Sequence, residues 1–229
     1  SRLHDAGYTI TNEESSADVV IINTCGFIDD AKKEAIENIL EMAALKKEGT
    51  IKGIVVTGCL AERFREDIRK ELPEVDAVLG IGCNGDIVAA VEQALAGRDF
   101  EKFGDKYDLA LEGERVLTTP KYTAYVRTSD GCDNCCTYCT IPKIRGRFRS
   151  RKKEDIVAET RSLAARGVKE IVLIAQDTTM YGRDLYGEPK LAELLDELCK
   201  IDGIEWIRML YTYPDLITDK LLDTMARQE

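Results

Sequence analysis

Histidine is almost missing from this chain of 229 residues: His4 is the only one. Zinc sites that mix Cys with His, and nucleophilic catalysis by Cys–His or Ser–His pairs, are therefore all but excluded. Long apolar runs are missing too. No stretch approaches the ~18 consecutive apolar residues that a membrane-spanning helix needs, so no membrane association is expected. The opening Ser1-Arg2-Leu3-His4-Asp5 has neither a basic n-region nor an apolar h-region, and no secretion signal is expected. The cytoplasm is the expected location. Hydrophobic residues at 44% and charged residues at 32% are ordinary for a globular protein, and the length allows one large domain or two modest ones.

Basic residues are outnumbered. Thirty-two Lys and Arg stand against 42 Asp and Glu, leaving a net charge of −10. Phosphate binding needs clustered Lys and Arg, so a large nucleic-acid surface is disfavoured, whereas a basic partner would be drawn in by long-range attraction. One stretch runs against this balance. Lys143, Arg145, Arg147, Arg149, Arg151, Lys152 and Lys153 crowd together, readable as a solvated strand or loop as readily as a binding surface. The eight cysteines, without a secretion signal, point to metal binding or catalysis rather than to a disulfide framework. With histidine so scarce, sulfur must be the main ligand, and soft thiolates select zinc or iron–sulfur clusters.

Strand and helix signals alternate through the first hundred residues. The β-branched run 18–23 reads as a buried parallel strand, and 29–46 carries Ala31, Ala35, Ile36, Ile39, Leu40 and Ala43 at helical spacing. Strand 51–56, helix 61–71, strand 77–81 and helix 86–96, closed by Gly97, follow. From 98 to 120 the apolar periodicity fades and charge rises, as at a domain junction, although an edge strand near Val116 is possible. A second series begins with strand 122–128. Helix 154–166, strand 170–175, helix 191–200, strand 206–211 and a helix from Thr218 complete it. The expected fold is α/β, with a parallel-sheet domain over 1–100, a linker over 101–120, and the first βα units of a partial TIM-like barrel over 121–229.

Cys132-Asp133-Asn134-Cys135-Cys136-Thr137-Tyr138-Cys139 follows the first strand of that second series. Thiolates at Cys132, Cys136 and Cys139 can wrap one four-iron cluster and leave one iron open to a ligand such as S-adenosylmethionine (SAM). Cys135 allows a second register, Cys132, Cys135 and Cys139. A zinc knuckle would want a fourth ligand, and neither remote His4 nor helical Cys199 supplies one. Cys25 and Cys59 each directly follow a predicted parallel strand, so both thiols should converge on the carboxyl edge of one sheet, where such folds bind ligands. Gln176-Asp177-Thr178-Thr179 ends a strand of the second series, a location that suits a cofactor's amino, carboxylate or ribose groups. Tyr213 and Asp215 occupy a similar location after the next strand. Cys83, Cys199 and Trp206 read as packing residues.

These motifs together resemble the radical SAM methylthiotransferases. The cysteine triad resembles that family's cluster motif, and Asn23-Thr24-Cys25-Gly26-Phe27 and Thr57-Gly58-Cys59-Leu60-Ala61 resemble its N-terminal domain. Within the family, stretches 139–146, 175–179 and 211–215 resemble the branch that modifies an aspartate of a small-subunit ribosomal protein; the branch acting on adenosine in tRNA has a similar layout. The resemblance implies two 4Fe-4S clusters. One sits on Cys132, Cys136 and Cys139 and cleaves SAM. An auxiliary one sits on three cysteines, of which Cys25 and Cys59 match two, while the third would precede Ser1. Gln176 and Asp177 are expected to contact the amino acid part of SAM, and Tyr138 to lie near its adenine. The implied chemistry is hydrogen abstraction from the aspartate β-carbon, sulfur transfer and methylation. An electron donor such as flavodoxin or ferredoxin is implied, with a basic ribosomal protein loop as substrate. Later barrel strands and a small C-terminal β domain are absent from this sequence, so the chain as given is expected not to turn over. Cys135 departs from the family, whose members usually carry another residue there, often Arg. A non-catalytic iron–sulfur or zinc-binding module is the alternative of a different class.

Overall fold

The computed structural model describes residues 2–111, 117 and 119–227. The chain forms two compact units, Ser1–Ala110 with Lys143–Gly146, and Leu111–Pro142 with Arg147–Glu229. Both are α/β with parallel sheets. Among the described residues no helix is long and apolar enough to cross a membrane.

In the first unit a short helix, α1 (Arg2–Asp5), precedes strand β1 (Val19–Thr24). Helix α2 (Asp29–Lys47) leads to β2 (Gly53–Gly58), and α3 (Cys59–Arg63) and α4 (Arg65–Glu71) lead to β3 (Ala77–Leu79). Helix α5 (Ile87–Leu95) then leads to β4 (Phe100–Lys102). The four strands lie in the order β1-β2-β3-β4, all parallel. Alternate residues of β2 serve two cores, which is why the strand is apolar without alternation. Ile54 and Val56 pack with Ala35, Ile39 and Met42 of α2, and Val55 packs with Ala90, Val91 and Ala94 of α5. Lys46 anchors the amino ends of the two central strands by binding the largely buried Asp76 at 2.7 Å, and Asp76 in turn accepts the Ile54 N–H.

The second unit opens with β5 (Thr123–Arg127) and β6 (Ser129–Asp130), followed by the cysteine loop. Helix α6 (Ile141–Arg145) follows in the chain, its residues from Lys143 on belonging to the first unit, and strand β7 (Arg149–Ser150) of the second unit runs antiparallel to β6. Helix α7 (Lys153–Ala165), β8 (Glu170–Ile174), α8 (Arg183–Tyr186), α9 (Leu191–Leu198), β9 (Trp206–Met209) and α10 (Asp219–Arg227) complete the unit. The main sheet runs β5-β8-β9, again parallel. Its core joins Val126, Ile171 and Leu173 to Ile156 of α7, Leu194 and Leu198 of α9, and Leu221 of α10.

Several expectations change on inspection. Phe100–Lys102 is a strand inside the stretch that reads as a junction, too short and too charged to show a period of two. The helix expected over 61–71 is two helices, because Phe64 leaves helical geometry at φ −123°, ψ 45°. Ile36 and Leu40 face solvent even though they fit the helical stripe. Trp206 is 60% exposed rather than core, on an edge strand with the Arg208 guanidinium over its ring. Cys199 is exposed just past the end of α9, whereas Cys83 is buried as expected. The edge strand considered near Val116 lies outside the described residues.

Candidate functional site

Within the second unit, β5 and β6 deliver the chain to Gly131 and then to Cys132, which is almost fully buried. The loop is tied back on itself. The Asn134 N–H donates to Cys132 Sγ at 3.5 Å, the Ile141 N–H to Cys139 Sγ at 3.4 Å, and the Cys139 N–H to the Cys136 carbonyl at 3.0 Å. Asp133 accepts the Phe148 N–H at 3.1 Å. Burial pushes the Cys132 thiol up against the Asn134 N–H, and the neighbouring Asp177, Cys139 and Cys136 add to the rise. The triad members are thus electrostatic neighbours. Cys135 differs from them: it is exposed and has a left-handed backbone at φ 49°, while Cys136 and Cys139 are half-buried.

The ends of β8 and β9 meet this loop. Asp177 is fully buried, and both of its oxygens are engaged, Oδ2 by Asn134 Nδ2 at 2.8 Å and Oδ1 by the N–H and hydroxyl of Thr179. Thr179 Oγ1 also accepts the Tyr213 N–H at 3.2 Å. Cys136 beside the Tyr213 hydroxyl, with some burial, raises the phenol's pKa. Gln176 Oε1 is buried with no partner. Tyr138 is 82% exposed beside the triad. Asp177, expected to contact a cofactor's amino acid part, thus has its carboxyl group buried and holding three protein donors. Gln176 and Tyr138 remain free to meet a ligand.

In the first unit Thr24 and Gly58 are register partners, so Cys25 and Cys59 leave adjacent parallel strands side by side. Thr24 Oγ1 donates to the Thr57 carbonyl at 2.6 Å, binding the two strand ends. Gly26 packs so closely that a Cβ would lie 2.8 Å from the backbone of Cys59 and Leu60. Cys25 is exposed and Cys59 buried. Arg145 Nη2 donates to Cys59 Sγ at 3.3 Å, and Arg63 Nη1 to the Gly26 carbonyl at 2.9 Å. Sequence reasoning missed Arg145 as a partner of a cysteine; its only signal was membership of the basic run. That run is largely spent internally, with Arg149 on buried Asp130 and Arg151 on Glu159 and the Arg127 carbonyl.

Among the described residues no three His, Cys, Asp or Glu side chains are grouped to hold a single metal ion.

Residues 1–80 match the family described as "Uncharacterized protein family UPF0004", and residues 126–229 match the radical SAM superfamily. The chain is 50% identical over 228 residues to the ribosomal protein uS12 methylthiotransferase RimO of Thermoanaerobacter sp. (strain X514), covering 99% of this chain and 52% of that protein. The RimO of Lachnoclostridium phytofermentans is 51% identical over 227 residues, with the same coverage. Over nearly its whole length the chain is thus similar to radical SAM methylthiotransferases. It spans about half the length of the curated relatives it matches. Among solved structures, it superposes with TM-score 0.61 at 15% identity on the radical SAM methyltransferase TsrM from Kitasatospora setae with cobalamin and a 4Fe-4S cluster bound, over 92% of this chain and 47% of that one. At that identity the likeness speaks to the fold alone, an α/β architecture with parallel sheets.

Proposed function

We propose that this chain is part of an enzyme that inserts sulfur at the β-carbon of an aspartate in ribosomal protein uS12 and methylates it. The domains would be a methylthiotransferase N-terminal domain over 1–100, a linker over 101–120 and the front half of a radical SAM domain over 121–229. Cys132, Cys136 and Cys139 would hold the SAM-cleaving 4Fe-4S cluster, and Cys25 and Cys59 two corners of an auxiliary one. The observation that carries the reading is the triad itself: three neighbouring thiols on one braced loop, with the fourth thiol, Cys135, turned to solvent.

The residues present fit these groups. The donor set is sulfur alone, and the orphaned Gln176 Oε1 offers an acceptor at a strand end beside the loop. When bound, such a cluster would supply the one-electron reductive cleavage of SAM. The chain's own residues do the rest. Gln176 would accept the amino group of SAM, Tyr138 would lie along its adenine, and the buried floor around Asp177 and Thr178 would exclude water from beneath it. A flavodoxin or ferredoxin would supply electrons, and the surplus of acidic residues suits a basic ribosomal protein loop. The cytoplasm is the compartment where these partners meet.

Anaerobic reconstitution tests this. The full-length protein with SAM and dithionite should release 5′-deoxyadenosine and mark a uS12 peptide. Methylthiolated tRNA in place of peptide would redirect the substrate assignment, and iron uptake without 5′-deoxyadenosine would defeat the enzyme reading.

A further inference from the structure

We infer that Asp177 is a positioning residue that clamps the cysteine loop to the ends of two strands, and that it does so through Asn134. The inference rests on the reading of Cys132, Cys136 and Cys139 as the cluster ligands. Asn134 sits between the first two of these in sequence, and its side-chain amide donates to Asp177 Oδ2 at 2.8 Å. The other oxygen, Oδ1, receives the Thr179 N–H at 3.1 Å and the Thr179 hydroxyl. Thr179 Oγ1 in turn receives the Tyr213 N–H at 3.2 Å, and Thr178 fastens the same segment by donating its hydroxyl to the Leu210 carbonyl at 2.6 Å. One carboxyl group thus gathers the loop, the residues after β8 and the residues after β9.

The chemistry of the acceptor explains the choice of residue. A carboxylate accepts at both oxygens, whereas an amide accepts at one and donates at the other. With Asn at 177, the contact survives only if the Asn134 amide turns over to present its oxygen, and charge-assisted bonds become weaker neutral ones. With Asp at 134, two carboxyl groups would face each other. Exchanging the two residues restores a donor opposite an acceptor at every contact. Partners of this outer kind fix ligand orientation, and their loss weakens metal retention by about 10–100-fold.

The test compares the reconstituted full-length protein with D177N, N134D and the exchanged pair N134D/D177N. Two quantities are read: cluster iron retained against a chelator, and the change in the reduced cluster's EPR signal on adding SAM. N134D should lose iron about 10–100-fold more readily and show an altered SAM response, and D177N, rescued in part by the turned amide, should lose it less. The exchanged pair should recover both, which a general loss of packing would not allow. N134D with wild-type retention and signal would overturn the inference, and so would an exchanged pair that recovers neither. Should a single variant fail to fold, recovery in the exchanged pair still decides. A wild-type protein that takes up no cluster would overturn the functional reading and this inference with it; a clustered wild type with indifferent variants would overturn this inference alone.

Discussion

Gly58 faces Thr24 across β1 and β2 so closely that a Cβ on Gly58 would collide with the Thr24 carbonyl oxygen. The backbone of Gly58, at φ 98° and ψ −162°, lies in a region open essentially to glycine alone. This pairing brings the two strand ends together just before Cys25 and Cys59. G58A should therefore cost more than about 3 kcal/mol, strain and collision together, and a chemical denaturation curve measures it. G49A is the control: its φ of 80° is also unfavourable, but nothing lies within 4 Å, so about 1–2 kcal/mol is expected.

The four thiols of the cysteine loop should separate into three and one. C132A, C136A and C139A should each abolish stable uptake of the loop's cluster, while C135A should keep it, because the left-handed turn at Cys135 sends that thiol to solvent. Iron and acid-labile sulfide per chain after anaerobic reconstitution give the answer. Equal losses in all four variants would shift the register.

Tyr213 should set the potential of the same cluster. Its hydroxyl lies beside Cys136, and a hydroxyl that donates to a cluster sulfur stabilises the reduced, more negative state. Y213F should lower the midpoint potential in an EPR-monitored redox titration while leaving iron content unchanged. An unmoved midpoint would show that the contact is not kept in the loaded protein.

Acid should loosen the second unit through Glu193. Burial raises the Glu193 carboxyl, but hydrogen bonds from Lys220, its own backbone N–H and Lys190 outweigh it and hold the group at about 2, against an ordinary 4.5. The folded state therefore binds this proton less readily than the unfolded state. Its contribution is fully present above pH 4.5 and is lost as pH falls through about 2. The loss should be on the order of 1–2 kcal/mol after solvent screening. Thermal melts between those values should show this slope in the wild type and a flatter one in E193Q.

Core and edge should respond differently to truncation. Leu198 is fully buried among α7, α9 and the sheet, so L198A should cost about 2–5 kcal/mol. Trp206, largely exposed beneath Arg208, should cost less than about 1 kcal/mol as W206A. Denaturation midpoints for the pair check whether the sheet's buried face carries the stability.

Where physical periodicity is strong, sequence and structure agree. The β-branched runs before Cys25 and Cys59 are strands, and the register that sets the two cysteines side by side follows from parallel pairing. What the sequence could not convey depends on partners far along the chain. Trp206 is apolar on a strand, yet whether it is covered depends on what lies beside β9. Asp177 was legible as a polar residue at a strand end. That its oxygens turn inward to Asn134 and Thr179 depends on a loop closing from 43 residues away. The basic run looked like a surface because charge alone says nothing of the buried Asp130 and the Cys59 sulfur that await it. The short strands β4, β6 and β7 carry too few residues for any period to register.

Strand β9 is the last strand of its sheet among the described residues, and no strand pairs with its outer side. Backbone N–H and C=O groups along such a margin act as a template for another chain. The partial barrel proposed above would take its next strand along this margin, and the surface left bare at Trp206 would be covered as that strand settles.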